Sequence, residues 1–421
     1  MNKIFIYSLL ALLIINIKVQ ADTLDKALIN VLETNPKILS GQKYTQSIFE
    51  DSNLSGVVYR PRMSLVGSVG HNQSRTTVYS KYSPSSIGIN LNQTIFDGYK
   101  GKYEIQKSKE DFYKAEFEQI SLEQLIFLDA IKVYIDLLYN IDLLELKTKN
   151  ENIIEEELKS ARIQFQLGDI KKSDLLLAEA IYKKAIIDIS DINKNIINLK
   201  TTFKNEIQME AVDLSVPIIN FNYIPNSIDE AILIAKLEHP RILLNQHIIN
   251  SGNLNTKIIE SEKYPQVNLN ANYSKSWNPL SNVKQSDTLS VAGTVTIPLY
   301  DSGLIDSKIR KSSFLENKYN YDAIQVKNKV IEDVTINWNS IKSLNDAILS
   351  ENNFLLVNMD ILEAVKEERN NGISSNLDFL NAQSSVIDTK IRLSKHQFDK
   401  LYYSYKLLSS IGRLNLNFLL N

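Results

Sequence analysis

Val267-Asn268-Leu269-Asn270-Ala271-Asn272-Tyr273 puts an apolar side chain at every odd position and an asparagine at every even one. Alternate residues of a strand face opposite ways, so the stretch is predicted to be a strand with one greasy face and one amide-lined face. Three other segments read alike. Leu289, Val291, Val295 and Ile297 alternate with Ser290, Thr294 and Thr296; Ile87, Ile89 and Leu91 alternate with Gly88, Asn90 and Asn92; and in residues 63–69 the apolar set falls mainly on odd positions. The prediction is four strands in two hairpins, with the segments near 72–84 and 275–286 as connections.

A row of Asn, Ser, Thr and Gly opposite an apolar row suits a barrel with lipid outside and water inside. A soluble antiparallel sheet with one wet face shows the same alternation. Two features favour the barrel. Aromatics gather at the strand ends, with Tyr59, Phe96, Tyr99, Tyr264 and Tyr300 at one end and Tyr79, Tyr82 and Trp277 at the other, as interfacial girdles require. Residues 1–21 also read as a secretory signal, with Lys3 as the basic start, an apolar run over 4–17, and Val19-Gln20-Ala21 as the cleavage site. Four strands cannot close a membrane barrel, whose smallest examples need about eight. Closure therefore demands further copies of the chain.

Outward from the strands the chain is helical. It holds 13 Gly and 9 Pro in 421 residues, and none falls among the 66 residues between Gly101 and Gly168 or the 68 between Gly303 and Gly372. As helix at 1.5 Å per residue, such a run spans about 100 Å. Each half thus holds a rod. With 47 Lys+Arg against 49 Asp+Glu there is no basic field to draw in nucleic acid. The absence of cysteine removes disulfides, thiolate metal sites and thiol nucleophiles. His71, His239, His247 and His396 never share the i,i+4 spacing of a helical metal site. No phosphate-binding Gly loop, GxSxG elbow or HExxH pair occurs, so no catalytic, cofactor or metal residue is assigned and an enzyme is not expected.

Sliding the chain against itself by 204 residues superposes Asp25 on Asp229, Pro36 on Pro240, Pro61 on Pro265, Asp97 on Asp301, Gly168 on Gly372, Asp174 on Asp378 and Ala178 on Ala382. Identities are sparse, but turn-forming residues coincide with the same grammar around them. The expectation is a tandem repeat, 22–217 and 218–421, each a capped helix, two strands, a very long helix, a Gly turn and a second helix.

These residues resemble the TolC-like outer membrane factors, the exit ducts of bacterial efflux pumps and type I secretion systems. The likeness rests on Leu24-Asp25-Lys26-Ala27 with Asn35-Pro36, on Tyr59-Arg60-Pro61, on Gln93-Thr94-Ile95-Phe96-Asp97-Gly98, and on Ile297-Pro298-Leu299-Tyr300-Asp301-Ser302-Gly303. Residues 162–180 look like the family's first helical tip, and Asn371-Gly372 through Asp378 and Ala382 like the second. The resemblance implies a mixed α/β membrane protein. Three chains would give a homotrimeric 12-stranded barrel in the outer membrane of a Gram-negative bacterium, continued by a helical barrel of coiled-coil hairpins into the periplasm. It implies a passive channel-tunnel for type I protein secretion, multidrug efflux or both, working with a periplasmic adaptor and an inner-membrane ABC or proton-driven transporter. A secreted soluble helical adaptor or surface coiled-coil protein is the alternative. The resemblance further places Gly168 and Gly372 at the periplasmic tip, with Asp378 in an acidic ring at the entrance. Ser173, Asp174 and Arg369 join it in the gate, with an ion pair between Arg369 and Asp174 as the restraint. A second acidic ring is missing, since that position holds Asn381.

Overall fold

Thr23 and Ser227 each open a helix by accepting, through the side-chain oxygen, an N–H of the first turn that has no partner within the helix. The computed structural model describes residues 23–75, 79–219 and 223–415; the expected signal peptide over 1–21 lies outside them. From Thr23 the chain forms α1 (Leu24–Thr34), α2 (Pro36–Ser55), β1 (Arg62–Val69), β2 (Asn72–Arg75), β3 (Tyr79–Tyr82), β4 (Ser85–Phe96), α3 (Lys100–Leu167) and α4 (Lys172–Ile207). From Ser227 it forms α5 (Ile228–Glu238), α6 (Pro240–Ser261), β5 (Gln266–Leu280), β6 (Val283–Thr296), α7 (Leu304–Asn370) and α8 (Asn376–Ser410).

The single helix expected before each strand pair is two helices. A residue before proline is driven out of the helical region, and proline at the first helical position gives up an N–H that would be unpaired anyway. Asn35 and His239 accordingly sit at extended backbone angles. Asn35 Oδ1 accepts from Lys37 N at 3.0 Å and His239 Nδ1 from Arg241 N at 3.1 Å, each capping the helix that follows. Nδ1 accepts only when it carries no proton. Burial, with Arg241 nearby, pushes the His239 imidazole down to about 4, so the ring stays neutral; Asp333 opposes the shift.

One antiparallel sheet runs in the order β1-β4-β5-β6, so its central pair joins the two halves. The register sorts the side chains into rows. Leu65, Ile89, Tyr273 and Leu289 lie side by side across the four strands, and so do Met63, Leu91, Ala271 and Val291. The intervening row is Ser64, Asn90, Asn272 and Ser290, and beyond it lie Ser68, Ser86, Ser276 and Ser286. Asn272 donates its amide to Asn90, and the Ser68 and Ser86 hydroxyls meet at 2.7 Å. On the other face Leu65, Leu289 and Val291 are about 70% exposed, an unusual state for a clean apolar surface.

The strands reach farther than the alternation alone indicated. β5 continues to Leu280 and turns over two residues into β6, while β2 and β3 make a small separate hairpin. Beyond Tyr273 both faces of β5 and β6 carry polar residues, so hydrophobic contrast vanishes while backbone pairing persists.

α3 and α7 run 68 and 67 residues. Pairs such as Lys100–Glu104, Lys107–Asp111 and Lys132–Asp136 brace the exposed side of α3 at i,i+4. Its middle buries Ala130, Ile131, Tyr134, Leu137 and Leu138, the spacing of one helical face. There the main core gathers, with Leu28 and Val31 of α1, Phe203 and Ile207 of α4, Ala231 and Ala235 of α5, and Leu407 and Ile411 at the end of α8. The buried Tyr134 hydroxyl donates to Ser215 O at 2.8 Å and accepts from Ser215 N at 3.2 Å. α4 and α8 are half the length of α3 and α7, so they end at this core, far from the sheet. Among the described residues no helix is long and apolar enough to cross a membrane.

Candidate functional site

At the ends of the long helices farthest from the sheet, Gly168 and Gly372 turn the chain at φ of 85° and 74°. L-residues seldom hold this conformation, and in both turns the next amide closes back on the helix. Asp169 N donates to Gln164 O and Ile373 N to Glu368 O, both at 2.9 Å. Nothing lies within 4 Å of where a Cβ would stand on either glycine, so both turn tips face open space.

Around the first turn the packing is apolar: Leu158 and Ala161 of α3 bury against Ala178 of α4, with Ile170, Leu175 and Tyr182 beside them. α4 starts without a side-chain acceptor, because its cap is Lys171. Asp174 partly compensates, accepting from Lys171 N at 3.3 Å and from the Ser173 hydroxyl at 3.2 Å. α8 starts with a complete reciprocal cap. Ser375 Oγ accepts from Asp378 N at 3.2 Å, and Asp378 Oδ2 accepts from Ser375 N at 3.0 Å and from the Ser375 hydroxyl at 2.6 Å. These bonds to Ser375, hydroxyl first and backbone second, hold the Asp378 carboxyl below the usual carboxylate range.

The two turns enclose a cleft of about 420 Å³ lined by Asp174, Arg369 and Gly372 among others. Arg369 does not meet Asp174. Its Nη1 donates to Glu157 Oε2 on α3 at 2.8 Å, and its guanidinium lies 4.0 Å from the centre of the Phe379 ring. The expected ion pair is replaced because the Asp174 carboxylate is turned to the Lys171 N–H and the Ser173 hydroxyl at its own helix start, whereas Glu157 faces the last turn of α7. A second tie links Asn376 Nδ2 to Gln164 Oε1 at 2.8 Å. Glu157, Gln164, Asn376 and Phe379 were not singled out from the sequence.

This frame of a four-stranded sheet, two rods of about 100 Å and two Gly-turned hairpins has known counterparts. A model of the family described as outer membrane efflux protein matches residues 27–199 and 232–413. The chain belongs to that family. It is 24% identical over 396 residues to the outer membrane efflux protein BepC of Brucella suis biovar 1, covering 94% of this chain and 86% of that one. It is 19% identical over 411 residues to the outer membrane protein TolC of Salmonella enteritidis, covering 94% and 83%. In structure it superposes on the Campylobacter jejuni CmeC outer membrane channel with a TM-score of 0.83 at 14% identity, over 93% of this chain and 85% of the other. The fold is thus the tandem-repeat barrel-and-tunnel fold of these channels, and the protein is an outer membrane efflux channel. Membership removes the alternative of a secreted soluble helical protein.

Proposed function

We propose that three copies of this chain form a passive exit duct through the outer membrane, their twelve strands closing one barrel and their helical hairpins extending it as a tunnel into the periplasm. The observation that carries this reading is the cross-strand register. It aligns Met63, Leu91, Ala271 and Val291, and Leu65, Ile89, Tyr273 and Leu289, as apolar rows on one face and Asn and Ser on the other, and among the described residues it leaves the outer edges of β1 and β6 without partners. Unpaired edges are not tolerated in lipid, so the sheet is completed by its neighbours. We take the halves 22–217 and 218–421 as the repeat units. The duct adds no chemistry of its own: a periplasmic adaptor docks at the Gly168 and Gly372 turns and couples it to an inner-membrane ABC or proton-driven transporter. Its cargo is small toxic molecules, secreted protein or both. The entrance closes at the tips, where Asp378 repeats around the threefold axis and Asp174, Ser173 and Arg369 flank it. The family description and the name of BepC support the efflux arm of this reading.

Leu269→Arg puts a charge in the middle of the apolar face and is expected to destabilise the barrel by about 2–4 kcal/mol. Asn270→Arg, on the opposite face, is expected to be tolerated. Outer-membrane fractionation and heat-modifiability gels read both, and equal damage from the two variants would reject the barrel.

A further inference from the structure

α6 and α8 both pack against α3 and α7, and the end of α8 meets the start of α6. The joint is tight. Gly412, just past α8, has a φ of 86° and no room for a Cβ, which would stand 2.7 Å from His239 Cα. Gln124 Nε2 of α3 donates to Gly412 O at 2.8 Å, and Arg413 donates twice to Glu238, at 2.7 and 2.6 Å. Beside the joint the four helices leave a cleft of about 530 Å³, the size of a small-molecule site. Glu118, Leu122 and Leu125 of α3 line it, whereas Phe127, Ala130, Ile131 and Tyr134 of the same helix lie in the main core. At about 100° per residue the two sets point in opposite directions, so the cleft opens away from the core.

The cleft is graded along its length. From Glu118, nearer the sheet, to Leu128 the helix advances about 15 Å. Leu122, Leu125 and Leu128, with Leu244 of α6, make an apolar middle, and Arg241 and Lys406 stand at the joint. Among the described residues neither cation makes an ion pair; Lys406 Nζ lies over the Tyr403 ring, 5.3 Å from its centre. Asp333, which also lines the cleft, is already held by Lys329 at 3.1 Å. One buried acceptor stays open there. Asn337 is 2% exposed and donates its amide to Lys406 O at a long 3.5 Å, while its Oδ1 has no partner. A buried acceptor without a donor is costly, so a ligand's N–H or O–H gains most at that atom.

We propose that this cleft binds an elongated amphiphilic anion, with an acyl chain on the leucines, a carboxylate at Arg241 and Lys406, and an N–H beside that carboxylate donating to Asn337 Oδ1. An N-acylated amino acid carries these parts in this order. Glu118 at the far end opposes the reversed pose and any second negative charge. The first half cannot make the same site, because Val133 stands in the place of Asn337. Binding stands on the cleft alone, and its access rests on the duct reading. There α1 and α5, which pack into the core, must leave the bore free, so the cleft on the opposite face of α3 opens into the bore. It holds amphiphilic cargo part-way along the tunnel.

The test uses the full chain in lipid nanodiscs, with empty nanodiscs as the blank for partition into lipid. The probes are N-decanoylglycine, kept below its micelle threshold, and its N-methyl analogue, which lacks only the N–H. Calorimetric titration is expected to show one N-decanoylglycine per chain and about tenfold weaker binding of the N-methyl compound. Asn337→Val installs the residue of the first half and is expected to erase that difference. Lys406→Gln is expected to weaken both compounds alike, by about tenfold. Equal affinities in the parent overturn the proposal, as do a difference that survives Asn337→Val, equally tight decyltrimethylammonium, or no saturable binding. In planar bilayers N-decanoylglycine is expected to lower the conductance of the parent and to spare Lys406→Gln. A current that ignores saturating ligand overturns the placement in the bore. A protein that makes no pore rejects the duct reading, while the titrations still decide the site, so the two failures are distinguishable.

Discussion

At the break between its two short helices the first half uses Asn35 and the second uses His239, and both accept the N–H two residues on at nearly the same distance. Where strand passes into long helix, Asp97 accepts from Gly101 N at 2.8 Å and Asp301 accepts from Ile305 N at 2.6 Å. Asp97 also receives the Tyr59 hydroxyl at 2.8 Å, whereas the residue standing in the place of Tyr59 is Lys263, which turns instead to Asp306. At the tips the same glycine turn is kept, yet Phe165 in the first half stands where the second has Arg369. The halves keep most of the positions that satisfy backbone groups, Lys171 against Ser375 being the exception, and differ more in the residues that reach sideways. A buried N–H at a helix start must find a partner locally, which constrains the residue there in either half. Lateral contacts are free to diverge because each half has different neighbours.

The largest expected difference between the halves is in their response to acid. Asn35 does not titrate, but His239 must be neutral to cap α6. A histidine whose folded value lies below its unfolded value of 6.5 contributes stability that is fully present above 6.5 and is lost as pH falls toward the folded value of about 4. The loss is expected to reach on the order of 3 kcal/mol by pH 4. His239→Asn installs the cap of the first half and is expected to flatten this dependence. Thermal midpoints of the detergent-solubilised protein at pH 7 and pH 4.5 check it, and identical shifts in parent and variant would remove His239 as the cause.

Next in size are the tip glycines. Both have positive φ and open surroundings, so Gly168→Ala and Gly372→Ala are each expected to lose only the backbone strain of about 1–2 kcal/mol, and to lose it equally. Unfolding of the two single variants compares them directly, and a marked inequality would show that one turn is pressed against something. In cells, Gly168→Trp and Gly372→Trp are expected to abolish export with the protein still in the outer membrane.

The parts of this molecule legible in its sequence are those whose physics is periodic or local. Alternation at Leu269 and Ile89 disclosed the two-faced sheet and the Gly- and Pro-free runs disclosed the rods, whereas the break at Asn35-Pro36 was passed over and a single helix expected there. The far end of β5 was not legible, because Ser274, Ser276 and Gln285 pair through backbone that leaves no mark on hydropathy. Glu157 was hidden for a different reason. One glutamate in the run Glu155-Glu156-Glu157 looks like any solvated helix residue, and only the approach of α7 selects which of the three meets Arg369. Asp378 carried a signal for two roles at once. The pair Ser375 and Asp378 is the spacing of a reciprocal cap, and the same carboxylate was read as an entrance ring.

The smallest expected effect tests that cap by moving it between the tips. α8 begins with Ser375, whose hydroxyl serves the N–H of Asp378; α4 begins with Lys171, which has no acceptor to offer. Ser375→Ala is expected to weaken the first turn of α8 by about 1 kcal/mol, and Lys171→Ser to strengthen that of α4 by somewhat less. The Asp378 carboxyl is held low by Ser375, so its share of the cap is present above the ordinary carboxylate range and is lost as pH falls through the depressed folded value. The gap between parent and Ser375→Ala is therefore expected to narrow in strong acid without closing, because the serine hydroxyl still accepts from Asp378 N. Amide hydrogen exchange over residues 172–176 and 376–380, read at neutral pH and near pH 3, follows both ends at once. Protection at α4 that ignores the new serine would mean the first turn is held by its apolar packing of Leu158, Ala161 and Ala178, and that only the second tip depends on its cap.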